Sequence, residues 1–125
     1  MNLQECISLE FLPRSLGQLT VLNKLNLGGC STIELLPESL VQLPTLTWLN
    51  LGCCKKLKAL PEPFGQLQTL KWLGLLGCQS LVILPDSLGH LQVLEYLNLS
   101  GCRFLTALPD SLRQLRALTK LKVDG

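Results

Sequence analysis

The sequence predicts a single α/β domain built as a curved solenoid, with a parallel β-sheet on its concave face and short helical turns on its convex face. Three observations predict this fold. Leucine–proline pairs recur every 24 residues, at Leu12-Pro13, Leu36-Pro37, Leu60-Pro61, Leu84-Pro85 and Leu108-Pro109. Cysteines keep the same step, at Cys6, Cys30, Cys54, Cys78 and Cys102. The apolar pattern L-x-x-L-x-L-x-x-C is complete from Leu22, Leu46, Leu70 and Leu94. One row can bury its leucines only by stacking on its neighbours.

The composition fits one globular domain over residues 1–125. An apolar fraction of 47% with 16% charged residues indicates a folded chain. The formal net charge of +2 gives no electrostatic reason to expect nucleic acid or an anionic membrane as partner. No apolar run approaches the roughly 20 residues of a membrane-spanning helix, and the first residues do not resemble a signal peptide. We therefore expect a cytoplasmic location.

Each row divides into a strand and a helical turn. The alternation in Leu25-Asn26-Leu27 predicts a short strand with its leucines facing the core and its asparagine facing out. In "LPESL" the proline suits the first position of a helical turn. Acids follow the prolines, at the positive end of each turn, and are Glu38, Glu62, Asp86 and Asp110. Glycine is expected to end several turns, at Gly17, Gly65 and Gly89.

Rows such as "LEYLNLSGCRFLTALPDSLRQL" resemble leucine-rich repeats, in particular those of plant intracellular nucleotide-binding disease-resistance receptors. The resemblance covers the whole chain, as about five repeats truncated at both ends and without capping motifs. It implies a module of plant defence or signalling that recognises a protein or peptide and carries no catalytic groups and no cofactor. The chain shows no nucleotide-binding or signalling domain, so it would supply the recognition part alone.

The cysteine column is expected to be structural. Its members lie on neighbouring rows, about 4.8 Å apart, where a buried thiol can donate a weak hydrogen bond to the backbone. Five cysteines in a line do not surround a point, so we expect no metal site. Cys53 stands outside this column, in a position otherwise held by Gly29, Gly77 and Gly101. It is expected to be a partly exposed thiol.

The remaining charged and titratable residues do not form a recognisable catalytic site. Lys55, Lys56 and Lys58 are expected in a solvated turn, opposite acids of other rows. His90 is the only histidine and occupies a column of glutamines, so an arrangement of nucleophile and histidine base has no support. We expect no enzyme activity.

The outward-facing strand positions supply the candidate binding residues. The first column reads Lys24, Trp48, Trp72, Tyr96 and Lys120. A second column reads Asn26, Asn50, Gly74, Asn98 and Lys122, where the glycine is expected to leave a notch between two amides. Lys71 and Glu95 precede two of the aromatic residues and complete the set. Exposed aromatics bordered by amides and lysines are typical of an interface hot spot.

Three functions remain open at this point. The first is recognition of a protein or peptide on the concave face, and the second is binding of a sugar-like ring stacked on Trp48 and Trp72. The third is a scaffold or an excised fragment without a partner of its own. Both ends are expected to leave core positions uncovered, so end-to-end self-association is also predicted. The residues concerned are Leu3, Leu9, Leu12, Leu118, Leu121 and Val123.

Overall fold

Short strands and short 3-10 helices alternate along the chain in a computed structural model that describes residues 1–6, 8–10 and 12–124. Strands β1 to β5 are Lys24–Asn26, Trp48–Asn50, Trp72–Gly74, Tyr96–Asn98 and Lys120–Lys122. Helices η1 to η5 are Arg14–Gln18, Glu38–Gln42, Glu62–Gln66, Asp86–His90 and Asp110–Gln114. None of the helices in these described ranges has the length and apolarity needed to cross a membrane.

The strands form one parallel sheet in the order β1-β2-β3-β4-β5. Its register follows the 24-residue step, so that Leu25 pairs with Leu49, Leu73 with Leu97, and Leu97 with Leu121. Asn2 forms a further parallel bridge to Asn26 at the first edge. The predicted period, the parallel sheet and the stacking of rows are confirmed.

The core lies between the sheet and the 3-10 helices and consists mainly of leucine, with the cysteine column among it. Leu49 and Leu73 from the strands are fully buried, as are Leu40 and Leu88 from the helices. Phe64 takes the corresponding helix position in the middle row and is also fully buried. Within the described part of the chain no polar or charged residue is buried. Each row thus depends on its neighbours to cover its apolar side chains.

The prolines stand just outside the helices rather than at their first position. Pro37 is extended, with φ −67° and ψ 144°, and the helix begins at Glu38. The ring fixes φ, and the extended ψ presents the Pro37 carbonyl to the N–H of Leu40 at 3.1 Å. The acid therefore occupies the first helical position, one residue earlier in the turn than the sequence suggested.

Gly17, Gly65 and Gly89 do not end their helices, contrary to the sequence interpretation, because leucines such as Leu67 hold that position. The glycines lie where adjacent helices come closest. A Cβ at Gly65 would lie 2.1 Å from the carbonyl oxygen of Ser87, and one at Gly89 would lie 2.3 Å from that of Ser111. These glycines are required by packing between rows and not by a left-handed backbone.

One row replaces this glycine–serine contact with a different pair. Val41 occupies the glycine position, and the same register places it opposite Pro63 where the other helices carry serine. Pro63 departs from helical geometry, with φ −82° and ψ 27°. The side chain of Ser87, by contrast, ties two helices together, accepting from the N–H of Gly65 at 3.0 Å and donating to the carbonyl of Glu62 at 2.6 Å.

Candidate functional site on the concave face

Three aromatic residues form a continuous stack across the middle of the sheet. Trp48, Trp72 and Tyr96 are the first residues of β2, β3 and β4 and pair with one another in register. The ring centroids of Trp48 and Trp72 are 4.7 Å apart with an interplanar angle of 14°. Those of Trp72 and Tyr96 are 4.9 Å apart with an angle of 1°. We call these three residues the aromatic strip.

Stacking determines which surfaces of the aromatic strip a partner can reach. Both faces of Trp72 are covered, one by Trp48 and the other by Tyr96. All three side chains are half-buried, because each strand position points away from the core while each ring leans on its neighbours. A partner can therefore contact the ring edges along the whole strip, and ring faces only at its two ends.

Gly74 sets the position of the Trp72 ring. A Cβ at residue 74 would lie 2.6 Å from Cη2 and 2.7 Å from Cζ3 of the indole. Such distances are shorter than any ordinary contact, so the ring occupies the space that a side chain would take. The notch expected at Gly74 is thus filled by the tryptophan two residues earlier, and this expectation was wrong.

The asparagines of the second column have partners within the protein. Asn50 Nδ2 donates to Asn26 Oδ1 at 3.0 Å, and Asn26 Nδ2 donates to Gln4 Oε1 at 3.1 Å. Asn26 and Asn50 also accept, through Oδ1, the backbone N–H two residues further on, and Asn98 does the same. We call Gln4, Asn26 and Asn50 the amide ladder. The amide ladder stops at Gly74, which has no side-chain amide to continue it.

Lysines flank the aromatic strip at both ends. Lys24 on β1 and Lys120 on β5 are exposed, and among the described residues no carboxylate lies within ion-pairing distance of either. Lys71 and Glu95 are exposed and directly precede β3 and β4. The chain's ion pair in the described part, Lys58 with Glu34 at 3.0 Å, lies outside the strands. Lys24 and Lys120 thus place one positive charge beyond each end of the aromatic strip, where a partner can form ion pairs with them.

A shallow groove of about 390 Å³ runs beside the aromatic strip. It is lined by Trp72, Tyr96 and Gly74 on the sheet. Cys53, in the turn after β2, and Glu5, in the turn after the bridge residue Asn2, complete the lining named here. The groove therefore joins the strip to the turns, which extends the candidate surface beyond the strand residues named from the sequence.

Glu5 was missed as a candidate, although a signal for it was present. It occupies the same column as Cys53, and both have a left-handed backbone, with φ of 61° and 60°. The glycines of this column have φ of 76°, 70° and 74°, at Gly29, Gly77 and Gly101. Aligning the first, incomplete row with the others would have placed Glu5 in this turn. Cys53 is exposed, as expected.

The cysteine column packs into the hydrophobic core and donates hydrogen bonds to the backbone. Cys54 Sγ donates to the carbonyl of Leu27 at 3.2 Å, and Cys78 Sγ donates to that of Leu51 at 3.0 Å. The same bond recurs from Cys30 at 3.0 Å and from Cys102 at 3.1 Å. The thiols in this column are free, and all are buried except that of Cys6, which is half-buried.

Burial also controls the ionisation of these thiols. It raises the pKa of Cys54 from 9.0 to about 12, with the neighbouring Cys30 adding to the effect. Burial raises the pKa of Cys78 as well, and those of Cys30 and Cys102. These four buried thiols are therefore neutral and poorly nucleophilic at physiological pH. In the described ranges no three His, Cys, Asp or Glu side chains gather as metal ligands would.

Comparison with known proteins identifies the repeat. Residues 93–115 match the family described as Leucine Rich Repeat. A leucine-rich-repeat protein of Leptospira interrogans is 40% identical, with a TM-score of 0.83 over 97% of this chain and 30% of its own. The leucine-rich repeat domain of the type III effector XopL is 33% identical, with a TM-score of 0.79 over 90% of this chain and 38% of its own. No curated protein matches the sequence significantly.

A more distant structure agrees on the fold alone. A chain of the Toll–Spatzle complex of Drosophila is 24% identical, with a TM-score of 0.59 over 93% of this chain and 19% of its own. The present chain spans well under half the length of each of these proteins. Its parallel sheet, its 3-10 turns and its 24-residue register form a leucine-rich-repeat fold, which commonly serves as a protein-binding module.

Proposed function

We propose that this chain is a non-catalytic recognition module that holds a protein or peptide on its concave face, against the aromatic strip. The observation that carries the proposal is the stack of Trp48, Trp72 and Tyr96, which leaves apolar edges half-exposed on a sheet otherwise built to bury its leucines. Large aromatic side chains at the centre of a surface are the residues on which binding energy concentrates. The groove beside them offers room for a partner's side chains.

The stack disfavours the sugar-binding alternative. A sugar ring binds by lying flat on an aromatic face, and Trp72 has no free face because a ring covers each side. Flat stacking is left only to the outer faces of Trp48 and Tyr96, at opposite ends of the strip. A peptide has no such requirement, because its side chains can pack along the ring edges and into the groove.

To test the proposal, a phage-displayed peptide library that is unbiased in charge is selected for binding to the immobilised chain. Peptides that bind the concave face should lose affinity at least about tenfold on Trp48→Ala, as truncation of a hot-spot residue does. Trp48 suits this test because it contributes one stacked contact whereas Trp72 contributes two.

A matched control removes similar apolar area away from the sheet. Ile83 and Phe104 are exposed by 63% and 64%, and Ile83→Ala with Phe104→Ala should leave the affinity unchanged. If the selected peptides bind Trp48→Ala as well as the original chain, or depend on Ile83 and Phe104 instead, the concave strip is not the binding site.

We also propose that the module acts in the cytoplasm as part of a plant defence receptor, with neither nucleic acid nor a membrane as its partner. The support is the sequence resemblance of rows such as residues 94–115, together with the small net charge of +2. The coding sequence on either side tests this proposal. A nucleotide-binding domain upstream would support it, and flanking segments of a secreted or membrane-anchored protein would overturn it.

A further inference from the structure

The stacked rings give the aromatic strip a definite electrostatic character. Aromatic rings carry partial negative charge on their faces and partial positive charge at their edges. The faces of Trp72 are covered by its neighbours, so the middle of the strip offers edges alone. Indole N–H and phenol O–H groups, which are hydrogen-bond donors, belong to these edges. The strip therefore attracts electron-rich groups more than cations.

Charged residues on the same face add to this preference. Lys24, Lys120 and Lys122 lie on the strands at the two ends of the strip, and Lys71 directly precedes β3. Glu95 is the single acid among the strand residues and those directly before them. These positions therefore hold four lysines and one glutamate, a net charge of +3, whereas the whole chain carries a net charge of only +2. Positive charge is thus concentrated at the strand positions, while Glu5 lines the groove beside the strip and Asp124 lies near Lys122.

The spacing of the lysines sets the size of the partner. Lys24 and Lys120 occupy the same register position on β1 and β5, four strand steps apart. At the usual strand spacing this separation is about 19 Å, which about six residues of extended chain or thirteen of helix would span. A small ligand cannot meet both lysines, whereas a short peptide segment can.

We infer that the partner is an acidic peptide segment lying across the strands, with carboxylates at both ends of a short apolar or aromatic stretch. The carboxylates pair with Lys24 at one end and with Lys120 and Lys122 at the other, and the apolar stretch packs along the ring edges. Single-stranded nucleic acid fits less well, because its bases bind by stacking on open aromatic faces. This inference rests on the proposed function, since it names the chemistry of the partner for the same surface.

The phage-displayed peptide library also tests this inference, through the sequences selected. Peptides that depend on Trp48 should be enriched in Asp and Glu on both sides of an apolar centre, relative to the unsorted pool. The double variant Lys24→Gln, Lys120→Gln should select peptides without that enrichment. Each single replacement should weaken a selected peptide roughly two- to fivefold, as expected for exposed ion pairs. Affinity should fall severalfold between about 50 mM and 500 mM salt, because screening shortens the reach of the charges.

Two controls make the result specific. Lys24→Arg keeps the charge and should retain binding, and Lys55→Gln with Lys56→Gln removes two exposed lysines from the turn after β2 and should have no effect. Strip-dependent peptides without acidic enrichment would overturn this inference and leave the proposed function standing. Absence of any strip-dependent peptide would overturn both. Tighter binding of an oligothymidylate than of the selected peptides would overturn the choice of an acidic peptide.

Discussion

The indole of Trp72 lies so close over Gly74 that a Cβ at residue 74 would come within 2.6 Å of its Cη2 atom. Because Trp72 is also stacked between Trp48 and Tyr96, its ring cannot move away from Gly74 without disturbing both contacts. Glycine at residue 74 therefore leaves the space that the Trp72 ring needs to stack between Trp48 and Tyr96.

This relationship predicts that Gly74→Ala destabilises the protein by about 1 to 3 kcal/mol, the usual cost of adding a methyl group to a packed site. The near-ultraviolet circular dichroism of the tryptophans should change at the same time, because the ring must move. A double-mutant cycle with Trp72→Ala measures the coupling. The cost of Gly74→Ala should largely disappear when the indole is absent. An equal cost in both backgrounds would show that the contact does not constrain Trp72.

The second prediction concerns Trp72 itself. Sequence alternation alone suggests that Trp72→Ala costs little stability, since surface replacements usually stay within about 0.5 kcal/mol. The two stacked contacts change this expectation, because each aromatic pair contributes about 0.5 to 1.5 kcal/mol beyond area burial. We expect Trp72→Ala to lower the free energy of unfolding by about 1 to 3 kcal/mol, and Trp48→Ala by about half as much.

Leu73→Ala is the matched control in the adjacent core position. Leu73 is fully buried, and its truncation should cost about 2 to 5 kcal/mol. Partner affinity should respond in the opposite order, with Trp72→Ala losing about 2 kcal/mol or more. Denaturant titration and a binding assay on the same variants separate the two effects. If Trp72→Ala unfolds the protein as strongly as Leu73→Ala without weakening binding, the strip is purely structural.

The fold was predictable because the same 24-residue step that repeats leucine in the sequence also brings those leucines side by side in the sheet. Leu49 and Leu73, one step apart, are register partners and fully buried. The outward position of Trp72 follows from the same alternation. Its orientation does not, because it depends on the missing Cβ of Gly74 and on two rings that belong to other rows.

The role of the helical glycines could not be derived from their local sequence. Gly65 is required by the carbonyl of Ser87, which belongs to the next row. The usual preference for glycine at helix ends therefore gave the wrong reason for Gly65. The row with Val41 held a usable signal, since its partner position carries Pro63 instead of serine. Reading the two columns together would have indicated a contact between helices.

The third prediction follows from the left-handed backbone at Cys53, where φ is 60°. A side chain in this conformation costs about 1 to 2 kcal/mol relative to glycine. Glycine offsets part of this difference, because it gives the unfolded chain more conformational entropy and so lowers stability. Cys53→Gly should therefore stabilise the protein by about 0.5 to 1 kcal/mol in denaturant titrations. The reverse effect is expected for Gly77→Ala, because Gly77 has φ of 70° in the same column. A destabilised Cys53→Gly variant would mean that the thiol makes a compensating contact.

The fourth prediction concerns the open edge of the sheet at β5. Leu121 is 42% exposed, although Leu25, Leu49, Leu73 and Leu97 in the same column are fully buried. Val123 is 54% exposed beside it. At the other edge Leu3 and Leu9 are half-buried, while Leu12 is only 5% exposed, so the expected exposure of Leu12 was wrong.

An uncovered strand edge with exposed apolar side chains favours association with a second copy of the chain. Sedimentation analysis should therefore show self-association that rises with concentration. Leu121→Lys should reduce it, because it places a charge on the edge and removes apolar surface. Ile83→Lys, at a residue 63% exposed away from β5, is the matched control and should leave association unchanged. A chain that stays monomeric at high concentration contradicts the prediction.

The last prediction uses the raised pKa of the buried cysteines. In the unfolded chain the thiol of Cys54 ionises near pH 9.0, whereas in the folded protein burial holds its proton up to about pH 12. The stability associated with the neutral thiol is thus fully present below pH 9 and is lost as the pH rises from 9 toward 12. Ionisation of Cys54 should lower the free energy of unfolding by about 1.4 kcal/mol per pH unit in that window. Cys54→Ser keeps a donor for the Leu27 carbonyl but does not titrate there, so its unfolding free energy should fall less steeply with pH than that of the original chain.

Thiol labelling at neutral pH provides an independent measurement of the same burial, in which exposed Cys53 should react well before buried Cys54 and Cys78. Equal pH slopes for the original chain and Cys54→Ser, or labelling of Cys54 as fast as that of Cys53, would show that the column is open to solvent.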